Sequence, residues 1–438
     1  GRYAMSNSWV PYNSGSAVQE AIAMANALSD QGVDIKPMHQ GYEETEPADV
    51  LETYRTFKGQ VSGRYQPAKG HARVKGAFAD FVKDFMGLPA DHSFVLQTNG
   101  RVGLGHAFNL VASSYKDQDL SRLVALVPDS RWPMVDPKAK QARIENFTEY
   151  DVKRGKIAEN IIQAIEQDKN DNIAVLYTNF PHNPTGLFAT KEEIRRIQTK
   201  LDEVNIDRTG RGLPPIVHVA DDPYFMGLPQ QQGTPALLSP YAGEFKLDGP
   251  TPSIHILSFS KAFATATPGF HGTVMTNSDM ARQYENFLTT DLGPSFVPDY
   301  MNQIADMLAN ENRNALLDHF KAISDKYGVN NSIFEQHAPE IVDGDPGMTR
   351  VLNVPDDILN KKITFDGQER QIKTARDVCA YIANTTGTIL VAQAEKGSET
   401  LIRAALKSED PDMIEKGAKD IARAYDDLRN AAPIPQVA

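Results

Sequence analysis

Cysteine is nearly missing from this chain of 438 residues, Cys379 being the single thiol. An internal disulfide and a cysteine-built metal site are thereby excluded, and a reducing, cytoplasmic setting is the expectation. Cys379 lies in Ala375-Arg376-Asp377-Val378-Cys379-Ala380-Tyr381-Ile382, whose apolar spacing is helical, so it reads as a small buried hydrophobe rather than a catalytic thiol. Positive charge is also short: 45 Lys and Arg against 57 Asp and Glu leave a net charge of -12. A nucleic-acid partner, whose phosphates need clustered cations, is therefore not expected. No apolar run approaches the ~20 residues of a membrane span, and no secretory leader is expected. Gly1-Arg2-Tyr3-Ala4, ahead of Met5, reads as an added tail. What remains, 41% apolar and 23% charged residues, is ordinary for a globular protein with room for two domains.

Helical spacing marks Ser16 to Ser29, then Val74 to Phe85, where Val74, Phe78, Phe81, Val82 and Phe85 share a face. From about residue 94, short β-branched runs alternate with helical ones. The strand candidates are Phe94–Leu96, Leu123–Val127, Ile173–Tyr177, Ile216–Ala220 and Ile254–Leu257. Such alternation predicts a mostly parallel sheet between helices, a large α/β domain. Pro298 to Tyr327 reads as one long helix or two. Beyond Val342 strand and helix signals mix, with strands at Thr388–Val391 and Leu401–Leu406 and a closing helix from Glu409 to Asn430. The expected division is an N-terminal segment, 1–60, joining a smaller α+β domain at 321–438, with the large domain at 61–320. Asp207–Pro215 and Leu228–Pro252, polar and rich in Gly and Pro, read as surface loops.

Three motifs follow three of these strands. They are Asn183-Pro184-Thr185-Gly186, then Asp221-Asp222-Pro223-Tyr224, then Ser258-Phe259-Ser260-Lys261. Ligands in open α/β sheets bind beyond the carboxyl ends of the strands, where all three motifs fall. An Asn, an Asp three residues before a Tyr, and a Lys after Ser-x-Ser are what an enzyme needs to hold pyridoxal 5′-phosphate. The Lys forms an imine, the Asp pairs with the ring nitrogen, and Tyr and Asn bond the phenolic oxygen.

From about Tyr65 to Arg403 the pattern resembles the fold-type-I enzymes that use this cofactor, most closely the class I/II aminotransferases related to aspartate aminotransferase. The resemblance implies a seven-stranded-type sheet in the large domain. It also implies an enzyme that passes the α-amino group of an L-amino acid to a 2-oxo acid through a Schiff base on Lys261. Asp221 would keep the ring nitrogen protonated. Asp222 is adjacent and stays open as an alternative, although a helix cap is the reading its position favours. Tyr224 and Asn183 would donate to the phenolic oxygen, and Asn183 would also face the substrate. Arg403, alone in an apolar strand, would clamp the substrate α-carboxylate unless it occupies an exposed edge. Trp132 would stack on the cofactor, and Ser258 would help hold its phosphate. Tyr65, in Tyr65-Gln66-Pro67-Ala68-Lys69-Gly70, would reach the phosphate of a neighbouring subunit, making a homodimer with shared active sites.

The chain departs from that family at the phosphate site. Thr98-Asn99-Gly100-Arg101-Val102-Gly103 places Arg101 and Val102 where small or hydroxyl residues are usual. The Arg expected after the Lys is missing from Thr267-Pro268-Gly269-Phe270-His271-Gly272. Arg101 is the expected substitute for its charge, with His271 a weaker one if protonated. No Arg for a side-chain carboxylate is found near Thr289–Ser295, so a dicarboxylic substrate would need Arg131 or Arg350 instead. The same scaffold supports elimination, cyclisation and oxidation of amino acids, and these stay open beside transamination.

Overall fold

A computed structural model describes residues 8–41, 64–66, 71–96, 100–115, 117–224, 238–259, 271–292 and 298–436. In chain order the first elements are α1 (Ala17–Asp30), β1 (Lys36–Pro37), α2 (Ala72–Met86), β2 (Ser93–Leu96), α3 (Gly100–Ser113) and β3 (Val124–Pro128). Next come α4 (Val135–Gln141), β4 (Asn146–Tyr150), α5 (Ile157–Glu166), β5 (Ile173–Thr178), α6 (Lys191–Gly210), β6 (Val217–Asp222) and β7 (Ser253–Ser258). They are followed by β8 (His271–Met275), α7 (Ser278–Phe287), α8 (Pro298–Leu308), α9 (Arg313–His337) and β9 (Thr349–Asn353). The chain closes with β10 (Lys361–Phe365), β11 (Gln368–Ile372), α10 (Ala375–Thr386), β12 (Thr388–Ile389), β13 (Val391–Ala392), β14 (Leu401–Ala405), α11 (Pro411–Arg429) and β15 (Ala432–Pro433). Two compact units result. One joins Gly1–Glu44, Asn183–Gly186 and Asp325–Ala438; the other joins Thr45–His182 and Leu187–Ser324.

The second unit is built on a seven-stranded sheet in the order β2-β8-β7-β6-β5-β3-β4. Strands β4, β3, β5, β6 and β7 pair in parallel, and β8 runs antiparallel to both β7 and β2. Every residue of β5 and β6 is buried, and β5 accordingly appears in the sequence as an apolar run, while β6 also buries His218, Asp221 and Asp222. One face packs on α3, where Leu104, Phe108 and Val111 share a core with Val127, Val175, Val217 and Val219. Side chains alternate between faces along a strand, so Asp221 falls on the α3 face with Val217 and Val219. His218 points the other way, its Nδ1 2.5 Å from Gln198 Nε2 on α6.

Two segments expected as surface loops are so only in part: residues 211–215 and the described residues 238–252 carry no helix or strand and include exposed residues. Asp207 to Gly210 is the last turn of α6, a helix begun by a reciprocal cap between Thr190 and Glu193. Arg208 is 1% exposed there and donates to the Ile173 carbonyl at 2.8 Å, so the turn is locked to β5. Within 228–252, the described part is anchored inward by a few residues, while Lys246, Leu247 and Asp248 stay exposed. Tyr241 and Phe245 stack at 4.5 Å, with His218 and His255 edge-on to the Tyr241 ring. A short aromatic pair inside polar sequence is enough to anchor such a segment.

The first unit has its own core, from Ala21, Met24 and Leu28 of α1, Val378, Cys379 and Ile382 of α10, and Ile414, Ile421 and Leu428 of α11. Its sheet runs β13-β14-β9, all antiparallel, so β14 is the central strand. A second antiparallel sheet, β11-β10-β15, is closed by the turn Asp366-Gly367. Both turn residues have positive φ, 49° and 77°, as the tight two-residue hairpin requires. Gly387 ends α10 at φ 81°, and a Cβ there would lie 2.4 Å from the Asp34 carbonyl oxygen. No helix among the described residues is long and apolar enough to cross a membrane.

Candidate active site

The carboxyl ends of β6 and β7 bring Asp221, Asp222 and Ser258 to one end of the large sheet. Register pairs Asp222 with Leu257, Ser258 with His271, and His271 with Leu96. Helix α3 begins at Gly100, directly after β2 and a three-residue connection. Its first N–H groups have no intrahelical partners, which makes this helix start suited to an anion.

The two adjacent aspartates of β6 differ sharply in surroundings. Asp222 is engaged at both oxygens: Oδ1 accepts from the Phe180 amide at 2.6 Å, and Oδ2 lies 2.7 Å from His255 Nε2. Among the described residues it caps no helix, whereas its position in the sequence favours a helix cap; it is the last residue of β6, with a buried histidine as partner. Burial pushes its carboxyl up, and the hydrogen bond and charge of His255 pull it back. Asp221 accepts the Tyr177 hydroxyl on Oδ2 at 2.9 Å, and its other carboxylate oxygen takes no hydrogen bond from the described residues. Burial pushes Asp221 up to about 7, opposed by the Tyr177 hydroxyl and assisted by the charge of Asp222. A buried carboxyl with one oxygen fixed and one unengaged fits the protonated ring nitrogen of pyridoxal phosphate.

The other described residues of this unit named from the sequence, and His182, fall as follows. Arg101 is exposed in the first turn of α3, its guanidinium 5.9 Å from the centre of the Trp132 ring. Gly100 and Val102, its neighbours, are half-buried, as are Trp132, Ser258 and Tyr224. His271 is buried beneath that turn: a Cβ on Gly103 would lie 2.5 Å from its Nε2, so only glycine lets the helix sit so close. His182 is also buried, with Nε2 2.7 Å from the Ser130 carbonyl, and burial lowers it to about 4. Tyr65 is 95% exposed in this chain. Lys261 lies outside the described residues.

In the other unit, Asn183 Nδ2 donates to Glu395 Oε1 at 3.1 Å, and Glu395 is buried. Arg403 sits mid-strand in β14, between Val391 and Val351, not at an exposed edge. It is 8% exposed, and its guanidinium makes no hydrogen bond or ion pair with the described residues, the buried Nε included. A lone buried guanidinium is costly unless an anion is to meet it. The two arginines suggested for a second carboxylate are already held by acids. Arg131 donates to Asp136 at 2.6 and 3.0 Å and to Glu149 at 2.8 Å, while Arg350 is bonded to Glu335 and Asn331.

Tyr177, His255 and Glu395 were not singled out from the sequence. Each acts on a residue at least 33 positions away, so no local spacing announces it.

Residues 40–325 match the family described as aminotransferase class I and II. No curated protein matches the chain by sequence. Solved structures do match in fold. Aspartate aminotransferase from Thermus thermophilus with maleate is 15% identical, with a TM-score of 0.69 over 94% of this chain and 97% of that one. Aspartate aminotransferase from Rhizobium meliloti is 14% identical, with a TM-score of 0.68 over 94% and 96%. An Escherichia coli protein with a methionine aminotransferase function is 14% identical, with a TM-score of 0.66 over 94% and 98%. The match across residues 40–325, on a chain built around a mixed seven-stranded sheet, places this chain in the aminotransferase class I and II family.

Proposed function

We propose that this enzyme binds pyridoxal 5′-phosphate and passes the α-amino group of an L-amino acid to a 2-oxo acid in a ping-pong cycle. The observation that carries the reading is Asp221, buried on the α3 face with Tyr177 on one oxygen and the other unengaged by the described residues. When bound, the cofactor supplies an electron sink for the substrate Cα. Asp221 would hold the proton on the ring nitrogen that keeps this sink effective. Lys261 Nζ would tether the cofactor and, once displaced by the substrate amine, accept and return the Cα proton. Tyr224 and Asn183 would donate to the phenolic oxygen, and the Trp132 ring would lie against the cofactor.

For the phosphate, the backbone N–H groups at Gly100 and Val102, the Arg101 guanidinium and the Ser258 hydroxyl are the proposed holders, with His271 beneath them. Tyr65 would serve the phosphate site of a second subunit, which makes the enzyme a homodimer with shared sites. Arg403 would take the substrate α-carboxylate as a bidentate pair. Because Arg131 and Arg350 are bound to acids, an uncharged substrate side chain suits the site better than a second carboxylate.

Absorption spectroscopy tests this directly. Protein loaded with the cofactor should absorb near ~420 nm, and Lys261→Ala should not form that band normally. An L-amino acid with an uncharged side chain, added without an oxo acid, should bleach the band toward ~330 nm, and a 2-oxo acid should restore it. Ammonia release without any acceptor would point to elimination instead. Absence of the band at saturating cofactor would overturn the reading.

A further inference from the structure

The Tyr177 hydroxyl is placed on Asp221 with unusual thoroughness for a core tyrosine. Its ring is 2% exposed in the fully buried strand β5, with the Phe108 ring of α3 at 6.4 Å. Its carbonyl accepts the Tyr150 hydroxyl at 2.8 Å, which fixes the strand at that residue. Two positions on, Asn179 Nδ2 donates to the Asp221 backbone carbonyl at 2.6 Å. The segment around β5 therefore grips Asp221 twice, at the carboxylate and at the main chain. A buried tyrosine hydroxyl needs a partner, and any backbone carbonyl would satisfy it. Here the partner is a carboxylate, which receives a hydrogen bond that favours its ionised form against the effect of burial.

We infer that Tyr177 is a positioning residue that holds the Asp221 carboxylate, ionised and in one orientation, for the ring nitrogen of the cofactor. This rests on the proposed binding of pyridoxal phosphate. Tyr177 acts only through Asp221, so its contribution is specific to a cofactor that carries a ring nitrogen. A purely structural tyrosine would support any cofactor of the same shape equally.

The test compares pyridoxal phosphate with an analogue carrying C–H in place of the ring nitrogen, both titrated into cofactor-free protein. Tyr177→Phe should weaken pyridoxal phosphate about tenfold, the scale of one hydrogen bond to a charged group, and leave the analogue unchanged. Tyr150→Phe removes a neighbouring buried hydroxyl that, among the described residues, bonds a backbone carbonyl and no carboxylate, and should leave the ratio of the two affinities at the wild-type value. In an Asp221→Asn background, Tyr177→Phe should add no further loss. Equal weakening of both cofactors, or full additivity with Asp221→Asn, overturns the inference while leaving the cofactor reading intact. Wild-type protein that binds neither cofactor overturns the reading itself and this inference with it.

Discussion

His255 Nε2 lies 2.7 Å from Asp222 Oδ2, and both side chains are sealed from solvent on the face of β6 opposite Asp221. The pair is enclosed by Tyr241 and Phe245, whose rings meet His255 edge-on. Removing one partner of a buried pair leaves the other uncompensated, which costs about 3–5 kcal/mol. His255→Ala should therefore lower the unfolding free energy of the cofactor-free protein by about that amount, measured by urea denaturation. A loss below ~1 kcal/mol would mean that the pair is not formed as described. Asp222→Asn, which keeps a hydrogen-bonding group beside the histidine, should cost less.

Stability of the cofactor-free protein should carry the signature of Asp221. Burial raises its carboxyl from the ordinary 3.8 to about 7. The folded state thus binds this proton more tightly than the unfolded chain. Its contribution is complete below the ordinary value and is lost as pH rises through about 7. Buried histidines act in the opposite direction. Burial lowers His218 to about 3 and His39 and His182 to about 4, so their contribution is complete above the ordinary 6.5 and is lost as pH falls. Asp221→Asn removes only the first effect. Its stability relative to wild type should rise between pH 5 and pH 8, read from denaturation midpoints at the two values. A difference that does not change with pH would contradict an acid perturbed by burial.

How far the sequence discloses this architecture depends on burial. Strands β3, β5 and β7 and the first part of β6 are legible because they are buried on both faces and largely apolar. Strand β4 is a sheet edge whose residues are largely exposed up to Tyr150, so Asn146-Phe147-Thr148-Glu149-Tyr150 carries no such run. Strand β8 opens on His271-Gly272, where Phe78 of α2 packs so closely that a Cβ would lie 2.1 Å from its ring. The residues that pair with Asp221 and Asp222 come from other strands, and pairwise spacing along one chain cannot reveal them. What separates the two aspartates is the alternation of faces, which needs only the strand's direction of burial to be known.

At the phosphate end, Arg101 is exposed at the start of α3, with its guanidinium over the Trp132 ring. If it supplies the charge that the chain lacks after Lys261, Arg101→Ala should weaken pyridoxal phosphate by roughly tenfold to a hundredfold. Affinity for pyridoxal without its phosphate should not change. The comparison isolates the phosphate contact from any disturbance of the ring. Equal affinity of the variant and the wild type for pyridoxal phosphate would leave phosphate holding to the helix start and Ser258.

Arg403 offers the sharpest separation of function from stability. It occupies the central strand of its sheet, 8% exposed, without a hydrogen-bonded or ionic partner among the described residues. A charge held this way opposes folding until an anion arrives. Replacing it by an apolar residue of similar length should then stabilise the free protein, on the order of 1–2 kcal/mol for Arg403→Met. The same change removes the proposed bidentate contact to the substrate α-carboxylate, so the KM for the amino donor should rise about a hundredfold. Arg403→Lys keeps the charge but not the planar fork, and should fall between the two in KM. Urea denaturation without substrate and steady-state kinetics with it measure the two effects separately. A destabilised Arg403→Met with an unchanged KM would show that the guanidinium serves the fold rather than the substrate.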